Sequence, residues 1–369
     1  MIKVAIIGCG KIAESHGAQI QRIADCKIVA VSDREELMAK QFAQRFAVPG
    51  IFTDVSVLLH DAQPDVVHIT TPPQSHFPLA RQCLEHGSNV YVEKPFTLNT
   101  AEAEELIAIA ERKGLKITAG HDDQFRHSAR EMRRLINNGY LGGPPVHMES
   151  YYCYELAGGY AKALLADRNH WVRLLPGQLL HNIISHGIAR IAEHLTTDSP
   201  HVIVHGFVSP FLRNLGEVEI IDELRVIISE KGKTTAYFTF SSQMRPTLHQ
   251  FRAYGSRNGL VLDQDNETLI RLRGARYKSY LDQFVPPLEF AKQYAGNGYR
   301  NIRKFLANEF HMKSGMKFLI EAFYESIRGT GPVPIPYPEI LRTARLMDAI
   351  FSQLPRNFSP PNAAPAKSC

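Results

Sequence analysis

Short apolar runs alternate with helical patterns over the first third of the chain. The runs cover residues 3–7, 28–31, 66–69, 90–92 and 115–118, and the segments between them, such as 100–113, are rich in helix-forming residues. Strands separated by helices are typical of βαβ units, which assemble a parallel sheet with helices on both faces. The pattern therefore predicts a doubly wound α/β domain over residues 1–121.

After residue 121 the pattern changes to longer strands with hairpin turns between them. Strands are predicted over 202–208, 219–229 and 234–242, and a hairpin over 254–263 is predicted to turn at Asn258-Gly259. These features predict an α+β domain with a largely antiparallel open sheet over residues 122–337. A helix over 338–355 follows, and the proline-rich tail 356–369 is predicted to be disordered.

The segment 275–330 is predicted to be a helical insertion in the second domain. It is rich in Tyr, Phe, Lys and Arg, and helical periodicity covers about 299–310 and 313–328. An amphipathic helix on a membrane surface is one interpretation. A lid or an oligomer contact is the interpretation that we favour.

A glycine-rich turn follows the first predicted strand. Gly8 and Gly10 belong to the pattern Gly-x-Gly-x-x-Ala, and Lys11 and Ile12 open the next helix. Such a turn between a strand and a helix lets the backbone approach a dinucleotide pyrophosphate, and the helix N-terminus faces the phosphates. The turn predicts a Rossmann domain that binds NAD or NADP.

The end of the second predicted strand bears on the choice between these cofactors. Asp33 lies there, where a carboxylate accepts hydrogen bonds from the adenosine ribose and favours NAD. Arg34 follows directly and suits a 2′-phosphate. We therefore expect NAD, with NADP as the alternative.

Two loops after later strands complete the predicted cofactor site. Thr71, Pro72 and His76 follow the third of the apolar runs, and the proline pair makes their loop rigid. Glu93-Lys94-Pro95 follows the run 90–92. Proline restricts the residue before it, so Lys94 is expected to leave the sheet edge in a fixed direction beside the nicotinamide.

Three motifs in this order, Gly-Cys-Gly-Lys-Ile-Ala, Thr-Pro-Pro-Gln-Ser-His and Glu-Lys-Pro, resemble those of the Gfo/Idh/MocA family of nicotinamide-dependent oxidoreductases. The resemblance implies a Rossmann domain, a C-terminal domain whose open sheet supports the substrate site and often an oligomer contact, and a last helix that packs back on the first domain. Family members commonly act on sugars, inositols or related polyols. By this resemblance Lys94 lies beside the substrate hydroxyl and the nicotinamide, and Glu93 lies near the nicotinamide ribose.

A second motif of that family usually reads Gly-Gly, then Asp-x-x-x-His and a later Asp, and the matching stretch here is 177–189. Asn182 and Ala189 replace the two aspartates, whereas His186 is present. On one continuous helix, Asn182 and His186 would share a face. We therefore expect His186 to act as the base and Asn182 to orient the substrate. Lys94 is expected to hold the substrate oxygen.

Four further side chains are candidates for the substrate pocket. His181 is a conceivable substitute base, and Arg173 suits a carboxylate or phosphate. Tyr152 and Trp171 offer aromatic faces that suit a sugar ring, although packing inside the fold explains them equally well. The resemblance also places the junction 120–125 near the cleft. No metal site is predicted, because His181 and His186 would lie roughly 140° apart around a helix.

Composition limits the classes of partner. The 42 basic and 37 acidic residues give a net charge of +5, which is too mild and too mixed to indicate nucleic-acid binding. Five cysteines at irregular spacing indicate reduced thiols rather than disulfides or a zinc site. We expect no signal peptide and no membrane association, and thus a cytoplasmic protein, with a dimer or tetramer implied by the resemblance.

The function favoured by the sequence is an NAD(P)-dependent oxidoreductase. It would transfer hydride between the nicotinamide and a secondary hydroxyl or keto group of a sugar, sugar derivative or polyol. One alternative is an NAD-dependent glycosidase that uses an internal redox cycle. The other is a non-catalytic, cofactor-binding regulatory protein, which the replaced aspartates at Asn182 and Ala189 would suit.

Overall fold

The computed structural model describes residues 1–156, 158–274, 277–310 and 313–355. The tail 356–369, for which the sequence predicts disorder, lies outside the described residues. Two sheets, each with its own buried apolar core, organise the described part of the chain. The site described below lies where these two parts meet.

The first sheet is the doubly wound sheet that the sequence predicts. Its strands are β1 (Ile2–Ile7), β2 (Cys26–Ser32), β3 (Gly50–Phe52), β4 (Val66–Ile69), β5 (Asn89–Val92) and β6 (Ile117–Ala119). Its helices are α1 (Lys11–Ile20), α2 (Glu36–Phe46), α3 (Val55–Ala62), α4 (His76–His86) and α5 (Thr100–Arg112). All strands are parallel, in the order β3-β2-β1-β4-β5-β6. The prediction is confirmed, and only the three-residue edge strand β3 was not anticipated.

The second sheet has seven strands and is antiparallel except at one pairing. In chain order the elements are α6 (His127–Asn137), β7 (His147–Tyr152), α7 (Gly158–Ala166), α8 (Gln178–Ile183), α9 (Ser185–Ala192), β8 (His201–Phe207), α10 (Pro210–Asn214), β9 (Glu223–Ser229), β10 (Thr235–Ser241), β11 (His249–Tyr254), β12 (Asn258–Asp263) and β13 (Thr268–Arg273). The strand order is β13-β12-β11-β7-β10-β9-β8, and only β7 and β10 pair in parallel. The predicted α+β domain with a largely antiparallel sheet is therefore confirmed.

One predicted hairpin turn in this sheet is wrong. Asn258-Gly259 does not form the turn but begins β12, and the chain reverses at residues 255–257 instead. A side chain on Gly255 would clash with the carbonyl of Leu141. The turn therefore lies at residues 255–257, where a distant segment comes close to Gly255. This long-range contact outweighs the local preference of Asn-Gly for a turn.

Three helices complete the described chain. They are α11 (Leu281–Leu306), α12 (Ser314–Ile327) and α13 (Tyr337–Ser352). Helix α11 begins well before the predicted start near residue 299. Pro286 and Pro287 lie inside it, although proline usually disfavours a helix interior. Helix α12 falls in the segment expected to form an insertion of the second domain. Its residues Leu319 and Phe323 nevertheless pack in the core of the first sheet.

Helix α13 contributes to both cores. Ile340 packs with the first sheet, whereas Leu346 and Ile350 pack with the second. The Asp348 carboxylate also accepts a hydrogen bond from the backbone N–H of Thr100, at the start of α5, at 2.9 Å. The last described helix therefore fixes the two sheets against each other.

A buried polar cluster lies beneath α13 at this junction. The Gln124 amide donates to Glu339 Oε1 at 2.7 Å and to Glu193 Oε2 at 3.1 Å, and Arg133 pairs with Glu193. Burial and the neighbouring Glu193 raise the pKa of Glu339 to about 7. Ionisation of Glu339 in the folded protein is therefore unfavourable.

The raised pKa of Glu339 predicts a pH-dependent stability. Because the folded protein binds this proton more tightly than the unfolded chain does, stability should fall as pH rises from about 4.5 to about 7. Glu339→Gln should match the wild type near pH 5 and exceed it at pH 8, by up to about 3 kcal/mol. Urea unfolding at the two pH values measures the difference.

Glu104→Gln is the matched control, because Glu104 lies exposed on α5 and pairs with Arg345 at 2.9 Å. It should leave the pH dependence of unfolding unchanged. Equal stability of Glu339→Gln and wild type at pH 8 would contradict the assignment.

Candidate functional site

The glycine turn after β1 has two glycines with different constraints. Gly8 has φ +91°, and a Cβ there would lie 2.6 Å from Thr71 Cγ2. Gly10 caps the N-terminus of α1 in ordinary extended geometry, and a Cβ there would meet nothing within 4 Å. Gly8 is therefore required by the fold, whereas Gly10 leaves space before a helix N-terminus. That space suits the pyrophosphate of a dinucleotide.

The side chain of Asp33 lies beside this turn. Its Oδ2 accepts a hydrogen bond from the backbone N–H of Cys9 at 2.7 Å, and its Oδ1 accepts from Glu35 N–H at 2.9 Å. Each carboxylate oxygen has a second lone pair, so Asp33 retains acceptors for a ribose. Arg34 and Lys11 are exposed nearby, and Ile12 is half-buried. The residues present fit a bound NAD.

His76 joins the two loops that follow β4 and β5. It is fully buried, and its ring nitrogens lie 2.9 Å from the Thr71 carbonyl and 2.8 Å from the Pro95 carbonyl. Thr71 is half-buried and Pro72 is exposed at the same edge. His76 thus supports the cofactor loops from inside the protein, and direct contact with the cofactor stays a prediction for all three residues.

Lys94 reaches from the first domain to the second. The peptide bond to Pro95 is cis, and the half-buried ammonium donates to the backbone carbonyl of Asn182 at 3.0 Å. Burial lowers the pKa of Lys94, and the nearby carboxylates of Glu93 and Asp122 act in the opposite direction. The structure therefore brings Lys94 to the backbone of Asn182, and the predicted role of the Asn182 side chain in orienting the substrate stays a prediction.

Glu93 ends a buried chain of hydrogen bonds that the sequence did not reveal. Its Oε1 lies 2.9 Å from His16 Nε2, the Nδ1 atoms of His16 and His68 are 2.8 Å apart, and His68 Nε2 lies 2.9 Å from the Tyr324 hydroxyl. Burial opposes the ionisation of Glu93, but the hydrogen bond from His16 and the charges of His16 and Lys94 outweigh it and lower its pKa to about 2. In the sequence, the one sign of this chain of hydrogen bonds is a histidine, His16, on the buried face of the helix α1.

Two adjacent carboxylates surround His186. Its Nε2 lies 3.9 Å from Asp122 Oδ1, and its Nδ1 lies 3.9 Å from Asp123 Oδ2. Tyr152 stacks on the His186 ring and donates its hydroxyl proton to Asp123 at 3.1 Å, and Arg190 lies 3.6 Å from the same oxygen. The sequence placed this junction near the cleft but assigned it no role.

The environments of these groups drive their pKa values apart. Burial and the adjacent charge of Asp123 raise the pKa of Asp122 to about 7. Burial also disfavours the charged form of Asp123. The charges of His186, which is protonated in the acid range where Asp123 titrates, and of Arg190 outweigh that effect and hold the pKa of Asp123 well below the usual range. Burial lowers the pKa of His186 to about 3. At neutral pH His186 is therefore uncharged, and Asp122 is the group that titrates.

The segment expected to form one helix through Asn182 and His186 is broken. Helix α8 ends at Ile183 and α9 begins at Ser185, so Ile184 lies between them. The two residues therefore lie on two successive short helices and not on the one continuous helix that the sequence predicts. Ile184 and Ile188 are fully buried in the second core.

The remaining substrate candidates lie in different surroundings. Arg173 donates to Glu217 at 2.5 Å and to the Leu164 carbonyl at 2.9 Å, so its charge is neutralised inside the protein. His181 is buried and stacks on Phe351 of α13, away from the carboxylates. Trp171 is half-buried, and its carbonyl accepts from the Gln74 amide at 2.8 Å. Among the four candidates, Tyr152 alone contacts the cluster around His186.

Two absences hold for the described residues. No group of three or more His, Cys, Asp or Glu side chains is arranged to hold a metal ion within the described ranges. In the same part of the chain, no helix combines the length and the hydropathy that crossing a bilayer demands.

Comparison with known proteins identifies the first domain. The model of the Gfo/Idh/MocA oxidoreductase family, NAD-binding Rossmann fold, matches residues 2–121. Oxidoreductase P35 of Formosa agariphila is 32% identical over 142 residues, which cover 38% of this chain and 44% of that protein. Myo-inositol 2-dehydrogenase of Thermotoga maritima is 24% identical over 145 residues, covering 39% and 43%. The chain thus matches less than half the length of these curated relatives.

A solved structure matches nearly the whole chain. The WlbA dehydrogenase from Bordetella pertussis, in complex with NADH and UDP-GlcNAcA, superposes with a TM-score of 0.76 over 95% of this chain and 94% of that one. The sequence identity is 15%. At this identity the likeness shows that the two-domain fold is shared.

The glycine turn predicts that cofactor binding and folding respond differently to substitution. Gly10→Val should leave the melting temperature near that of wild type and weaken NAD binding at least tenfold, because its side chain would occupy the phosphate space. Gly8→Val should instead destabilise the fold by about 2 kcal/mol or more, because of its positive φ and the clash with Thr71. Isothermal titration with NAD and thermal unfolding measure the two effects. Wild-type NAD affinity in Gly10→Val would refute the assignment.

Proposed function

Because residues 2–121 belong to the Gfo/Idh/MocA oxidoreductase family through its NAD-binding Rossmann fold, we propose that the protein is an NAD-dependent dehydrogenase. It oxidises a secondary hydroxyl of a sugar, sugar derivative or polyol, or runs the reverse reduction. The observation that carries this proposal is the placement of the Lys94 ammonium at the end of β5, near the carboxylates of Asp122 and Asp123.

The first domain binds the cofactor. The glycine turn would hold the pyrophosphate, Asp33 would accept hydrogen bonds from the adenosine ribose, and Glu93 would lie on the nicotinamide side. When bound, NAD supplies the hydride acceptor. Lys94 holds the substrate oxygen with its ammonium, whose direction is fixed by the end of β5 and by the Asn182 carbonyl. The exposed Arg34 keeps NADP as the alternative cofactor.

Asp122 accepts the hydroxyl proton in this proposal. The sequence favoured His186 as the base, but a pKa of about 3 makes His186 too weak a proton acceptor near neutral pH. Asp122 titrates near pH 7, and no described residue donates a hydrogen bond to its carboxylate. As the C–H hydride leaves, the O–H proton passes to Asp122 and the C=O bond forms. His186 and Tyr152 line the pocket, and Asp123 stays ionised beside them.

The substrate class is supported by two kinds of observation. A cluster of carboxylates, imidazole and phenol offers donors and acceptors that suit several hydroxyls of one ring. Relatives named above act on myo-inositol or are found with a nucleotide-linked sugar. A sugar, a nucleotide-linked sugar or an inositol is therefore the substrate class to test first.

Oligomer formation and location form a further part of the proposal. The outer face of the second sheet exposes Ile203, Ile227 and Tyr237 at 51%, 44% and 49%. This face suits the contact of a homodimer or homotetramer. We place the enzyme in the cytoplasm, where its nicotinamide cofactor is supplied.

Lys94→Ala is expected to lower the rate of NADH formation by about 10²–10⁴-fold, because it removes the group that holds the reacting oxygen. NAD affinity should change little. The assay follows NADH absorbance with myo-inositol, a methyl glucoside and UDP-N-acetylglucosamine as substrates. Unchanged turnover in Lys94→Ala would refute its role. Cleavage of the glucoside without net NADH would instead favour the internal redox cycle, and inactivity on all three would count against this substrate class.

The pH dependence of oxidation identifies the proton acceptor. The rate should rise with pH through about 7, because Asp122 must lose its proton before it can accept another. Asp122→Asn should abolish this rise and lower the rate. Asp123→Asn should keep the rise but move it to lower pH, because its negative charge raises the pKa of Asp122. A rise near pH 7 that persists in Asp122→Asn would assign it to another group.

A further inference from the structure

Helix α11 is attached to the protein by its polar face. The Gln293 side chain accepts from Arg271 N–H at 2.8 Å and donates to the Arg271 carbonyl at 3.1 Å. The Asn297 side chain accepts from Leu269 N–H at 3.3 Å and donates to the Leu269 carbonyl at 3.2 Å. The two side-chain amides, one helical turn apart, thus bond to backbone N–H and C=O groups on the outer edge of strand β13. These bonds fix which side of α11 faces outward.

The outward side carries a continuous apolar stripe. Its large members are Phe284, Leu288, Tyr299, Ile302 and Leu306, which we call the outer stripe. They are spaced along one face of the helix, and they are 62%, 71%, 66%, 60% and 78% exposed. The helix has 26 residues and is about 39 Å long. An apolar face of this length exposed to water indicates a surface that is covered in function.

The charges nearest to the outer stripe are basic. Lys292 and Arg303 flank it, are exposed, and have no ion-pair partner among the described residues. The acidic residues of α11 lie on the other side of the helix. The Glu289 carboxylate lies 3.3 Å from Arg273, and the Asp282 carboxylate accepts from the Tyr277 backbone N–H at 3.1 Å. The stripe is therefore bordered by uncompensated positive charge.

This charge pattern selects the occupant of the outer stripe. Two copies paired along the stripe in antiparallel fashion would bring Lys292 and Arg303 of one helix beside the same cations of the other. A partner surface with an apolar interior and a negatively charged outer layer avoids this repulsion between like charges. We propose that α11 docks the protein on the surface of an anionic membrane, with the outer stripe among the acyl chains and the two cations at the headgroups.

The aromatic residues of this segment fit that arrangement. Tyr280 and Tyr294 are 72% and 55% exposed beside the stripe, and Phe305 is 68% exposed. The two tyrosines, each with an apolar ring and a polar hydroxyl, suit the boundary between headgroups and acyl chains, and the Phe305 ring suits the acyl chains. Docking of this kind is peripheral, since α11 lies along the surface. It is independent of the reaction proposed above.

Vesicle sedimentation tests the apolar part of the proposal. The full-length protein should bind vesicles of equal parts phosphatidylglycerol and phosphatidylcholine. Leu288→Ser with Ile302→Ser should bind at least tenfold more weakly, because two inserted side chains become polar. Both positions are exposed, so NAD affinity and circular dichroism should match wild type. The matched control is Phe211→Ser with Leu215→Ser, at an exposed apolar patch on and after α10, and it should bind like wild type.

Charge substitution tests the electrostatic part. Lys292→Gln with Arg303→Gln should weaken binding to the anionic vesicles about thirtyfold, since each cation near an anionic surface contributes about a five- to sixfold gain in affinity. On vesicles of phosphatidylcholine alone, this variant should behave like wild type. Added salt should weaken wild-type binding to the anionic vesicles.

Several outcomes would overturn the proposal. Wild-type protein that stays in the supernatant with anionic vesicles would do so, and so would undiminished sedimentation of Leu288→Ser with Ile302→Ser. Light scattering during size-exclusion chromatography measures the oligomeric state of the wild type and of the same double variant. A wild-type oligomer that the same double variant dissociates, without vesicle binding by either, would assign the outer stripe to a second copy of the chain.

Discussion

A carboxylate buried at the edge of the first sheet constrains much of this structure. Glu93 can stay ionised in an apolar core only if partners compensate its charge. His16 supplies that partner from α1, His68 continues the chain on β4, and Tyr324 ends it on α12. One charged group therefore sets the positions of three elements around the strand that carries Lys94.

The parts of the fold that depend on local pattern could be predicted from the sequence. The βα alternation and the turn at Gly8 and Gly10 follow from neighbouring residues alone. Long-range contacts account for the differences. Arg173 pairs with Glu217, which lies in a distant segment, and the turn expected at Asn258-Gly259 gives way to the contact of Gly255 with Leu141. No local signal in the sequence announces either partner.

The candidate site likewise has features that the sequence predicts and features that depend on the folded structure. Lys94 and His186 were recognisable from motifs, but the protonation of the cluster depends on burial. Two adjacent aspartates look equivalent in a sequence, yet Arg190 and Tyr152 stabilise the charge of Asp123, whereas no described residue donates a hydrogen bond to the carboxylate of Asp122. Such an asymmetry is how one pocket provides both a permanent anion and a group that exchanges protons near neutral pH.

The packing of α12 in the first core has a consequence for the synthesis of the protein. Leu319 and Phe323 complete the core around β1 to β6, although the whole second domain separates them from those strands along the chain. While the chain emerges from the ribosome, the apolar surface of the first sheet therefore stays incomplete until α12 (Ser314–Ile327) has been made. The first domain can reach its final form only after the second domain, which precedes α12 along the chain, has also been synthesised.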